Sequence, residues 1–161
     1  LALGVALGQH MTADIQHIAL GDVQFVFAVA PQHPLAQAHE PLSNALLMQH
    51  RVVAVADSVQ RGSGLTVGLQ GGQDVFTVPD MPSKLQAQLR GLGAGFLPLS
   101  LAQPFVATGE LVIKNTEQSR LNSVHAAWRD SRLSPAGHAL LWWTAQLNKP
   151  GTREALLGSK P

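Results

Sequence analysis

A chain of 161 residues, 45% of them apolar, can bury a core either as one domain or as two small lobes. Only 13% of the residues are charged and the net charge is +1 with histidines neutral, which excludes the basic footprint of a chain that grips nucleic acid with its own surface. Cysteine is absent, excluding disulfides and thiolate metal sites, and no apolar run reaches the length of a membrane span.

Leu1 to Gly4 reads as a short buried strand. The chain opens inside that strand, as a fragment whose beginning lies upstream would. No basic stretch precedes an apolar one there, so no signal peptide is read and the chain is expected in the cytoplasm. Gly8 to Thr12 is expected as loop and Ile15 to Leu20 as a strand. In "GDVQFVFAVAP", Val23, Phe25, Phe27 and Val29 alternate with other residues, which predicts a strand stopped by Pro31. A proline-bounded polar loop follows, and Ser43 can cap a short helix through Met48. "RVVAVAD", Arg51 to Asp57, is the continuous apolar run of a strand covered on both faces.

"RGSGLTVGLQGGQ" carries five glycines in thirteen residues, which predicts a loop with a small strand at Leu65 to Val67. Val75 to Val78 is a further strand. Asp80 is a plausible N-cap, Pro82 fits the first helical turn, and Leu85 and Leu89 lie four apart, so a helix is expected there. Gly91 or Gly93 can end it in the left-handed conformation. Then come a strand at Ala94 to Leu97, a helix at Leu99 to Val106, a strand in "GELVIKN" and a last strand at Asn122 to Arg129. Ser134 and Pro135 open a final helix reaching Leu147, and the segment from Lys149 onward reads as a poorly ordered tail. Alternating strands and helices predict an α/β fold with a mainly parallel sheet.

The glycines of "RGLGAGFLPLS" raise the question of a phosphate-binding loop. Such a loop runs strand, glycines, helix, so that a helix N-terminus faces the anion. Here the helix comes first and the strand last, and no Lys-Ser/Thr pair follows. The glycines read instead as a helix cap and a site of close packing on the next strand.

Taken in order, "VVAVADS", "DVFTVPDMPSKLQAQLRGLGAGFLPLSLAQPFVATGELV", the upstream "VFAVAPQHPLA" and the downstream "WRDSRLSPAGHALLWW" resemble the C-terminal half of LysR-type transcriptional regulators. The matching positions include Gly91, Gly93, Gly95, Leu97, Pro98, Gly109 to Val112, and His33 to Ala36. The resemblance covers about Leu1 to Leu147. It implies an α/β, two-lobe, periplasmic-binding-protein-like (type 2) fold, N-terminally truncated. Residues 1–45 plus 121–148 would form an incomplete first lobe, 46–120 the second, and 149–161 the tail. It also implies a sensor that holds a small-molecule effector between its lobes and pairs as a homodimer or tetramer. DNA would be read only through an N-terminal helix-turn-helix that this chain lacks, with no membrane partner, cofactor or catalysis. Missing too is the first strand-helix unit of the first lobe, which usually supplies ligand contacts.

In open α/β lobes, ligands sit beyond the carboxyl ends of strands and at helix N-termini. That places candidate ligand contacts at Val5 and Ala6, at Asp57 and Ser58, and at Asp80 and Met81, with Phe96 and Leu97 as a candidate cleft wall. Four of these have a plainer reading: a turn hydroxyl for Ser58, a helix cap for Asp80, core for Phe96 and Leu97. An Asp at the cap offsets the helix dipole and disfavours an anion beside it. The seven histidines show no i, i+4 pairing suited to a metal, and His33 reads as part of a structural turn. Two rival readings stand beside the regulator: a transport-type solute-binding protein of the same fold, and an enzyme on an α/β scaffold. A third reading is a fragment with no competent site.

Overall fold

The computed structural model describes residues 2–4, 15–56, 71–117, 120–129 and 137–157. Residues 24–120 cluster into one compact unit, and residues 1–23 with 121–161 into another. Residues 24–45, expected with the first lobe, thus group with 46–120.

In the larger unit, β3 (Val52–Val55) and β4 (Val75–Val78) form a parallel pair, with Val52 opposite Val75 and Val55 opposite Val78. Ala94, just before β5 (Gly95–Pro98), bridges to Val52 in parallel: Val53 N–H donates to Ala94 O at 2.8 Å and Ala94 N–H to Arg51 O at 3.0 Å. The 15-residue strand β2 (Ile15–Val29) joins two segments expected as separate strands. Within this unit it pairs antiparallel with β5, Phe27 opposite Phe96, and with β6 (Val112–Lys114), Phe27 opposite Lys114. In the smaller unit β1 (Ala2–Gly4) pairs antiparallel with β7 (Arg120–Arg129).

The expectation of a mainly parallel sheet is therefore corrected to a mixed one. A helical crossover between neighbouring strands dictates a parallel pair, but β2 meets its partners β5 and β6 across long intervals of chain, where either sense is open.

Two helices begin at the caps expected of them. Ser43 Oγ accepts from Leu46 N–H at 3.2 Å and caps α1 (Asn44–Leu47). Asp80 caps α2 (Met81–Leu89) by accepting from Ser83 N–H at 2.8 Å, with a proline in the first turn. Gly91, with φ +70°, ends α2. Its N–H donates to Gln88 O and that of Leu92 to Ala87 O, the double bond of a Schellman cap. Gly93 and Gly95 serve close packing instead. A methyl group on Gly93 would stand 2.9 Å from Arg51 O, and one on Gly95 3.2 Å from Val53 O. These glycines thus cap the helix and admit close packing on the next strand, as expected. α3 (Leu99–Ala107) follows β5 directly.

α4 (His138–Leu147) has Gly137 at its N-cap, while Ser134 and Pro135 lie outside the described residues. The segment expected as a poorly ordered tail carries α5 (Pro150–Leu157).

Separate cores hold these layers. Phe27, Val29, Leu35, Leu42, Leu47 and Phe96 pack on one face of β2 and β5. Ala28, Leu85, Leu97, Ala102 and Leu111 pack on the other, under α2 and α3. In the smaller unit Leu20, Ala126 and Leu147 form a third cluster.

Candidate functional site

Of the predicted site residues, Val5, Ala6, Asp57 and Ser58 lie outside the described residues. Asp80, Met81, Phe96 and Leu97 are described, all within residues 24–120. Asp80 follows β4 and stands at the N-terminus of α2, where the carboxyl end of the strand turns into the helix. Its carboxyl is held below the ordinary range by its hydrogen bonds with Ser83 and is open to solvent. Met81, half-buried, packs against the cluster that holds Leu97. Phe96 and Leu97 point to opposite faces of β5, as successive strand residues must. Phe96 stacks edge-on with Phe27 at 5.2 Å between ring centres, and Leu97 is fully buried.

Alongside α2 runs a groove of about 450 Å³, walled by Phe76, Val78, Pro82, Gln86, Arg90 and Leu92. Its walls are mostly apolar, with Arg90 contributing a cation.

The opposite side of α2 carries polar groups the sequence reasoning missed. Lys84 is 4% exposed and Gln88 0%. Burial alone pushes the Lys84 amine down to about 8. Neither side-chain atom of the Gln88 amide has a hydrogen-bond partner. Both flank the Leu85 and Leu89 stripe that predicted the helix, and their own spacing of four was the signal available.

A second polar centre is structural. Lys114 Nζ, nearly buried, donates to Ala36 O at 3.3 Å and Ala38 O at 2.9 Å and pairs with Glu40 at 2.8 Å. Glu40 in turn accepts from Asn115 N–H at 3.0 Å and from the Asn115 side chain. His33 Nδ1 accepts from Leu35 N–H at 3.2 Å, capping the 3-10 turn Pro34–Gln37 in the structural role expected of it. Its ring lies 5.4 Å from that of His50, and burial first, then the His50 charge, lowers its pKa. Among the described residues no three histidine or acidic side chains converge as a metal site, and no helix is long and apolar enough to cross a membrane.

A family model described as the LysR substrate binding domain matches residues 1–148. The chain belongs to that family. It is 39% identical over 129 residues to the HTH-type transcriptional regulator YeeY of Escherichia coli K12, a match covering 80% of this chain and 41% of that protein. With the activator AllS of Klebsiella pneumoniae it shares 37% over 112 residues, 70% of this chain and 42% of AllS. The chain thus spans about two fifths of the length of these LysR-family relatives.

Among solved structures, the regulatory domain of MetR, a LysR family regulator from N. meningitidis, superposes with a TM-score of 0.69 at 17% identity, covering 96% of this chain and 72% of that one. The effector binding domain of QuiR in complex with shikimate gives 0.59 at 15% identity, covering 82% and 63%. The fold is therefore the α/β fold of LysR regulatory domains, of the periplasmic-binding-protein type expected from the sequence.

Proposed function

We propose that this chain is the ligand-sensing part of a LysR-type transcriptional regulator, in which a small metabolite shifts how DNA-reading modules are presented. The observation that carries this reading is the family match over residues 1–148, supported by relatives named as HTH-type regulators. A metabolite can shift such an equilibrium only by its differential affinity for the two states. The QuiR domain, which holds shikimate, supports a small-molecule effector here.

The candidate contacts follow the carboxyl edges of the strands: Val5 and Ala6, Asp57 and Ser58, and Asp80 with Met81, backed by Phe96 and Leu97. On this reading the molecule is a cytoplasmic, non-enzymatic homo-oligomer. Two lobes surround its effector, and DNA is bound through a helix-turn-helix encoded upstream. The test is to read the gene upstream of Leu1 and footprint its full product on the adjacent promoter. A helix-turn-helix and a footprint that changes with an added metabolite are expected. A signal peptide and no DNA binding would replace this reading with the solute-transport one.

A further inference from the structure

We infer that Lys84 and Gln88 form a receptor for the carboxylate of a small organic acid, set against the backbone of β3 and β5. The inference rests on the sensor reading above and names the chemical class of its effector.

The two residues are one turn apart on α2 and share its buried face. Their surroundings fix them there. A methyl group on Gly95 would come within 2.8 Å of Gln88 Nε2, 3.3 Å of Lys84 Cε and 3.2 Å of Val53 O. The bare backbone at Gly95 is thus what admits both polar side chains between helix and strands.

Among the described residues no side chain or backbone group answers them. Among the described residues Lys84 makes no hydrogen bond or ion pair, and both ends of the Gln88 amide are unmatched. A carboxylate stands close in sequence, since Asp80 precedes Lys84 by four residues, the usual spacing of a helical ion pair. Asp80 instead caps the helix through Ser83, on the solvent side. Lys84 therefore lies along the strands, past an available partner, beside a buried amide with an N–H donor to spare. Buried charges are ordinarily paired, and buried amides ordinarily bonded.

One ligand group answers the Lys84 ammonium and the Gln88 N–H together. A carboxylate carries one negative charge and two acceptor oxygens, enough to take the Lys84 ammonium and the Gln88 N–H together. A phosphate dianion would leave charge uncompensated beside one cation and one neutral amide. The neighbours Leu85, Ala87 and Val53 are apolar, which suits a short hydrocarbon acid. Helical side chains tilt toward the helix N-terminus, so Lys84 leads from this spot toward the Asp80 end, the carboxyl edge of β4 where an effector is expected.

The test is calorimetric titration of the full chain with acetate, oxalate and succinate, with acetamide and sodium chloride as controls. At least one acid is expected to bind while acetamide does not, with Kd raised tenfold or more in K84M and several-fold in Q88L. K84M keeps the side-chain length and removes the charge. On the unaltered chain, the Cε resonance of Lys84 is expected to move with the bound acid while that of exposed Lys149 does not.

Equal binding by K84M, or a bound acid that leaves the Lys84 resonance unmoved, would overturn the assignment. So would no binding of any acid. A neutral metabolite that alters the promoter footprint while no acid does so would sink the carboxylate site and leave the sensor reading standing.

Discussion

At the scale of single residues, Lys84 is where folding works against a charge. Its amine titrates near 8 because burial disfavours the ammonium, whereas in the unfolded chain it holds its proton to about pH 10.4. Between those values the unfolded chain binds more protons, so stability rises with pH across that window. Below pH 8 both states are protonated and the penalty stays constant, at about 3 kcal/mol. In the absence of carboxylates, the urea midpoint is expected to rise between pH 8 and 10. K84M should be the more stable form at pH 7 and should lose that rise. A wild-type profile that tracks K84M over this range would show that Lys84 is solvated. No tyrosine titrates in the same window, which keeps the comparison clean.

The contrast between Asp80 and Lys84 also shows where the sequence was readable. A cap residue, a proline in the first turn and leucines four apart report local geometry, and Asp80 bonds to Ser83 as they require. Whether Lys84 lies inside or outside depends on Gly95 and Val53, which reach it only through the fold.

At the scale of elements, the turn after β2 and the strand β6 are joined by one clasp. Lys114, from β6, donates to the carbonyls of Ala36 and Ala38 and pairs with Glu40. The hydrogen bond from Lys114, then that from Asn115, holds the Glu40 carboxyl below its ordinary range. Its folded pKa is depressed, so its contribution is complete at neutral pH and is lost as the pH falls through the carboxylate range.

Replacing Lys114 by Met leaves two carbonyls without their donor in a nearly buried place. A loss of roughly 2–3 kcal/mol is expected by chemical denaturation. E40Q should lose less, and its stability should fall less steeply in acid than that of the wild type. An unchanged midpoint in K114M would mean that water replaces the lysine at no cost. None of this clasp was legible beforehand. Its partners are more than seventy residues apart, and no periodic pattern links them. The same distance hid the antiparallel pairing of β2, although the alternation of Val23 to Val29 had marked it as a strand.

At the scale of the whole molecule, the chain divides into two compact units with separate apolar clusters. Family membership was legible because the order of its segments survives in the sequence, even though each is weak alone. Of the candidate contacts, Asp80, Met81, Phe96 and Leu97 fall on described residues, where Asp80 takes the cap role its position in the sequence signals, and the others fall outside them.

The separateness of the clusters has a measurable consequence. Leu97 belongs to the cluster under α2 and α3, Leu147 to the one with Leu20 and Ala126, and both are fully buried. Truncating either to Ala removes buried methyl groups and leaves a void, which costs about 3–5 kcal/mol at well-packed sites. Side chains that share no packing partners perturb stability independently, so the L97A/L147A double variant should show the sum of the single losses within about 0.5 kcal/mol. Urea denaturation followed by far-UV circular dichroism on the four proteins gives the cycle directly. A coupling of more than about 1 kcal/mol would mean that the two cores relax into each other when one is hollowed. Additivity would mean that each unit keeps its own packing when the other is hollowed.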